Sequence, residues 1–156
     1  MDFKGIFKIS CVEDNLSLHA PMGAGPDFPG PSLECVPEHS QYTAFRVNKL
    51  GDDKYEIVSA QFSDYVISYL GHYTPVGDLP FLLQMMPKSW EDYGKDKVYT
   101  EWAIEQAGSG EYNIRAASGP GDQYWTLHEG SHRHIKLDGL KGANSQKWRL
   151  VWVHDE

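Results

Sequence analysis

Apolar and polar residues alternate along this chain in short runs, and Gly, Pro, Asp and Asn punctuate them. GIFKIS, KYEIVSA, DYVISYL, EWAIEQ, EYNIRA, QYWTLH, HIKL and KWRLVWV all follow this pattern. A period of two puts successive side chains on opposite faces of a strand, whereas apolar spacing of the helical kind is nearly absent. The pattern predicts an all-β protein of short strands and tight turns.

Two units recur inside these runs. The first is aromatic-x-Ile: Phe7-Lys8-Ile9, Tyr55-Glu56-Ile57 and Tyr112-Asn113-Ile114. The second is polar-x-aromatic-x-aliphatic, with Thr43, Phe45 and Val47, then Thr100, Trp102 and Ile104, then Gln146, Trp148 and Leu150. Phe45 stands as far before Tyr55 as Trp102 stands before Tyr112, and a polar turn fills both gaps. The third Trp unit ends the chain, where it can close against the first aromatic unit at the N-terminus. Copies of about 2–50, 51–107 and 108–153, each with four short strands, predict one β-trefoil domain over 1–156. Such a fold is a six-stranded barrel with a cap of three hairpins. Its closure removes exposed strand edges, and the repeated aromatics turn inward as core. Gln-x-Trp is on this reading mainly architecture.

The 156 residues suit one compact domain, and 22 acidic against 14 basic residues give a formal net charge of -8. That balance argues against a nucleic-acid partner, which needs cations to neutralise phosphates. No run approaches the ~18 apolar residues of a membrane helix, so no membrane partner is expected. The start MDFKGIFKIS has no secretory n-region or h-region, which leads to a cytoplasmic expectation. Cys11 and Cys35 then read as reduced, buried thiols rather than a disulfide.

GIFKI near the start and VYTEWAIEQAGSGEYNIRAASGPGDQYWTLHEG across the second and third copies resemble the fungal β-trefoil protease inhibitors. These are the cospin-like serine-protease inhibitors and, more distantly, the mycocypin cysteine-protease inhibitors, related in fold to ricin-type lectins. The resemblance spans most of the chain through core motifs. It implies a protease partner, a defence or regulatory role, and one reactive residue on an exposed loop, which differs between members. Gly23, Gly25 and Gly30 match the Gly-rich loops of the mycocypin type loosely.

Function is expected on loops, because a trefoil barrel is rigid and its loops vary freely. The loop APMGAGPDFPGPS (Ala20–Ser32) is stiffened by prolines and would present Met22, Asp27 and Phe28. DGLKGANS (Asp138–Ser145) offers Lys141 between Gly139 and Gly142, a side chain suited to an acidic specificity pocket. MPKSWEDYGKDK adds Trp90 and Tyr93 as aromatic anchors, and GHYTPVGDLP adds Tyr73.

The other reading is a carbohydrate-binding lectin, since Gln-x-Trp followed by alternating apolar residues marks ricin-type sugar sites. Copy three supplies Asp122, Trp125, His128, Asn144 and Gln146 for such a site, but copies one and two have Thr in place of Gln. A protein-interaction scaffold is a third possibility. Enzyme motifs are missing: there is no Gly-x-Ser-x-Gly elbow, phosphate loop or carboxylate pair. His128, His132 and His134 read as a solvated patch rather than a metal site. The expectation is therefore a monomeric or weakly dimeric protease inhibitor, not an enzyme, with no metal and no cofactor, and a glycan-binding lectin as the alternative.

Overall fold

The structure, a computed structural model, describes residues 3, 5–20, 33–37, 43–70, 83–88, 92–93, 96–117, 123–128 and 133–154. Fourteen strands are formed among them: β1 (Gly5–Cys11), β2 (Leu16–His19), β3 (Glu34–Pro37), β4 (Ala44–Gly51), β5 (Lys54–Ser59), β6 (Tyr65–Leu70), β7 (Gln84–Pro87), β8 (Asp92–Tyr93), β9 (Asp96–Tyr99), β10 (Trp102–Gly108), β11 (Glu111–Ala116), β12 (Tyr124–Leu127), β13 (Ile135–Asp138) and β14 (Trp148–His154). Single helical turns at Glu13–Asn15 and Asn144–Gln146 are the only helix among the described residues. No helix there is long and apolar enough to cross a membrane.

Three antiparallel hairpins make the barrel: β4 with β5, β10 with β11, and β14 with β1. They share one register. Phe45 faces Ser59, Trp102 faces Ala116 and Trp148 faces Cys11, so each large ring lies opposite a small side chain. Large against small is how facing positions fill a barrel without voids. The hairpins then join at Phe7–Phe45, Tyr55–Trp102 and Tyr112–Trp148. Each junction therefore pairs an aromatic-x-Ile unit with a polar-x-aromatic unit. The ring β1-β4-β5-β10-β11-β14 is closed, and the chain's two ends form its third hairpin.

Both internal hairpin turns need a left-handed residue. Gly51–Asp52–Asp53–Lys54 places Asp53 at φ 58, and Gly108–Ser109–Gly110–Glu111 places Gly110 at φ +71. Asp and Gly are residues that accept that region.

Hairpins β2–β3, β6–β7 and β12–β13 form the cap. They meet through backbone bonds from Leu33 N to Leu83 O (2.9 Å), Leu83 N to Ile135 O (3.0 Å) and Cys35 N to Arg133 O (3.0 Å). A short hairpin, β8–β9, is added to copy two, with β9 pairing β6. Part of MPKSWEDYGKDK, expected as loop, is thus strand.

The core is layered by repeat. Ile9, Ile57 and Ile114 form one buried layer, Phe45, Trp102 and Trp148 a second, and Leu18, Ile67 and Trp125 a third. Trp102 Nε1 donates to Ile67 O at 3.0 Å, and Trp148 Nε1 donates to Trp125 O at 3.1 Å. Phe45 has no such donor, which makes copy one the departure from threefold symmetry. At the mouth opposite the cap, Phe3 meets Phe7, Tyr55 and Tyr112 edge to face, with centroids 5.9, 5.8 and 5.1 Å away.

Candidate functional site

The loop between β13 and β14 is the best-defined exposed feature among the residues proposed from sequence. It leaves the cap at Asp138 and returns through the Asn144–Gln146 turn to Trp148. Leu140 is 52% exposed and the Lys141 side chain 65%. Gly142, Ala143 and Asn144 are exposed beside them.

Exposure does not leave this loop slack, because a buried amide organises it. The Gln146 residue is 1% exposed. Its Oε1 accepts from Lys141 N at 2.7 Å, while Nε2 donates to Gly139 O at 2.7 Å and to Thr126 Oγ1 at 3.0 Å. Its backbone N donates to Ala143 O at 3.0 Å. The Asp138 carboxylate completes the frame: Oδ1 accepts from Gly139 N at 2.8 Å, and Oδ2 from Lys141 Nζ at 2.9 Å. The Lys141 ammonium, and then the Gly139 amide, hold the Asp138 carboxyl below its ordinary pKa. This ion pair lies in solvent, so it orients Lys141 without fixing it.

Copy three differs from the other two at the residue that organises this loop. Gln146 stands where copies one and two have Thr43 and Thr100. Thr43 Oγ1 accepts from Ala20 N at 2.8 Å and contacts His19 Nδ1 at 3.2 Å. It thereby ties down the chain at the root of the Ala20–Ser32 segment. The Thr43 hydroxyl reaches only His19 and Ala20 among the described residues, whereas the longer Gln146 amide spans the turn from Gly139 to Lys141.

The described residues of the proposed sugar site, Trp125, His128, Asn144 and Gln146, do not form one exposed surface. Trp125 is a correction: expected as an exposed platform, it is 0% exposed. Its ring packs edge to face between Trp102 and Trp148, at 5.4 and 5.8 Å. It occupies the position of Leu18 and Ile67, so alternation within QYWTLH put a large ring on the inner face. Trp125 Nε1 is buried without a hydrogen-bond partner. His128 lies at the far end of the β12–β13 hairpin from Asn144, with its N donating to His134 O at 2.8 Å. Asn144 is exposed on the Lys141 loop. Met22, Asp27, Phe28, Tyr73, Trp90, Asp122 and His132 lie outside the described residues, as does the side chain of Tyr93.

Both cysteines are free and buried. Burial pushes the Cys11 thiol up to about 12 and raises Cys35 as well, so neither is a nucleophile near neutrality. No group of three His, Cys, Asp or Glu side chains among the described residues could hold a metal.

Sequence reading passed over Trp152. It is 56% exposed on β14, next to the exposed Val151. The signal was available: its equivalents in the other copies are the polar Lys49 and Gln106, opposite Tyr55 and Tyr112 as Trp152 is opposite Phe7.

Neither a protein-family model nor a curated protein matches this chain. Solved structures do match along nearly its whole length. The designed 3-fold symmetric protein ThreeFoil is 19% identical with a TM-score of 0.67, over 96% of this chain and 99% of that one. A proteinase inhibitor from Coprinopsis cinerea is 12% identical with a TM-score of 0.68, over 98% and 100%. The Macrolepiota procera ricin B-like lectin, solved in complex with lactose, is 13% identical with a TM-score of 0.68, over 98% and 99%. At these identities the likeness is one of fold. The neighbours include both kinds of binder that the sequence resemblance implied, and the chain has the β-trefoil fold they share.

Proposed function

We propose that this protein inhibits a protease by binding alone, with the Asp138–Ser145 loop entering the active-site cleft and Lys141 in the specificity pocket. The observation that carries this reading is a protruding loop held rigid from beneath by Gln146. Preorganisation of this kind lowers the ordering cost of association. A trefoil neighbour is a proteinase inhibitor, which makes the fold suitable for the role. Lys141 favours a serine protease with an acidic pocket over a cysteine protease. A standard interface of this type buries about 1,600 Å² in total. Titration against trypsin, chymotrypsin and papain tests it. Trypsin is expected to be inhibited, with affinity reduced on the order of a hundredfold or more by Lys141→Ala, as for a central anchor. Inhibition indifferent to Lys141 would sink the reading.

The exposed ring of Trp152 favours a second reading, glycan binding, because sugars stack their apolar faces on such surfaces. A trefoil neighbour is a lectin. Glycan-array binding that Trp152→Ala abolishes and Trp125→Phe leaves intact would support it.

A further inference from the structure

We infer that Gln146 decides whether the Lys141 loop behaves as an inhibitor or as a substrate. The inference rests on the protease-inhibitor reading and adds a positioning residue to it. An exposed lysine followed by glycine is, taken alone, an invitation to cleavage. Cutting the bond after Lys141 requires the chain there to be drawn out, whereas seating the Lys141 side chain in a pocket does not. Here the chain is bent at that point, since Gly142 sits at φ +71.

The bend is held from both sides by one residue. Gln146 grips Gly139 O and Lys141 N through its side chain, before the Lys141–Gly142 bond, and Ala143 O through its backbone N, after it. Straightening the loop for attack breaks these bonds together. Copies one and two carry Thr43 and Thr100 at the equivalent position, which have no amide to bridge a turn in this way. Gln146 is therefore already engaged by protein atoms, and the glutamine that marks sugar sites in ricin-type trefoils serves here to keep a loop shut.

Gln146→Thr tests this with the residue that the other two copies carry, so folding is expected to survive. Wild type, Gln146→Thr and Trp148→Phe are incubated with trypsin well below their melting temperatures. Mass spectrometry then scores cleavage after Lys141. Loss of the two side-chain bonds to the loop raises the opened population, and cleavage tracks that population, so Gln146→Thr should be cut about tenfold faster than wild type or more. Trp148→Phe, which weakens the core and spares the loop, should not be cut faster at that bond. Equal cleavage of Gln146→Thr and wild type, or equal acceleration in Trp148→Phe, overturns the inference. Cleavage is scored without reference to inhibition. The Lys141→Ala result therefore judges the inhibitor reading separately.

Discussion

Trp125 and Trp148 are indistinguishable in sequence, each the ring of an alternating run, and the barrel buries both completely. Their edges differ. The Trp148 indole N–H is bonded to Trp125 O, whereas that of Trp125 has no partner. A buried donor left unmade costs about 1–3 kcal/mol, and truncating one member of a made bond exposes the same penalty in its acceptor. Trp148→Phe should therefore destabilise the protein by roughly 1–3 kcal/mol more than Trp125→Phe, each change leaving a cavity of similar size. Urea unfolding of the two variants measures this; equal costs, or a costlier Trp125→Phe, would contradict the assignment. Period-two alternation says which residues share a face but not which face is inside. Trp125 was therefore legible as a strand residue and misread as a surface one. Gln146 was legible only as part of a fold signature, since its partners lie up to 20 residues away in Thr126.

At the scale of elements, the strands with strong alternation were readable, and so were the turns between them. The two internal hairpins align closely enough for one copy to predict the other. Asp53 and Gly110 hold the same left-handed place in their turns. A side chain added at Gly110 meets nothing within 4 Å, so any cost there is conformational and not steric. Gly110→Val should cost about 1–2 kcal/mol, the penalty of the left-handed region for an L-residue. Gly110→Asp should cost less, because Asp53 already lives there, and thermal melts of the pair decide it. Indistinguishable melts would refute the equivalence. What could not be read was the β8–β9 hairpin, whose first strand has two residues and so no period to detect. The Lys141 loop was marked by its glycines, but its rigidity comes from bonds across the turn that no local pattern encodes.

At the scale of the whole molecule, the barrel is closed by its ends: β14 pairs with β1 from Cys11–Trp148 to Ile6–His154. The aromatic-x-Ile repeat announced this closure, because its first copy had no preceding partner and the last Trp unit had no following one. It did not announce Phe3, which lies before the first repeat and outside any alternating run. Three edge-to-face contacts place its ring among one aromatic from each copy, at the mouth that the cap leaves open. The Phe3 ring is thus a plug, and it draws on all three hairpins at once. Ring pairs of this geometry add roughly 0.5–1.5 kcal/mol each beyond the area they bury, though Phe3 is only half-buried. Phe3→Ala should then cost about 2 kcal/mol and lower Tm by roughly 4–8 °C. A Phe3→Ala melt indistinguishable from that of the wild type would mean that the barrel mouth closes without Phe3.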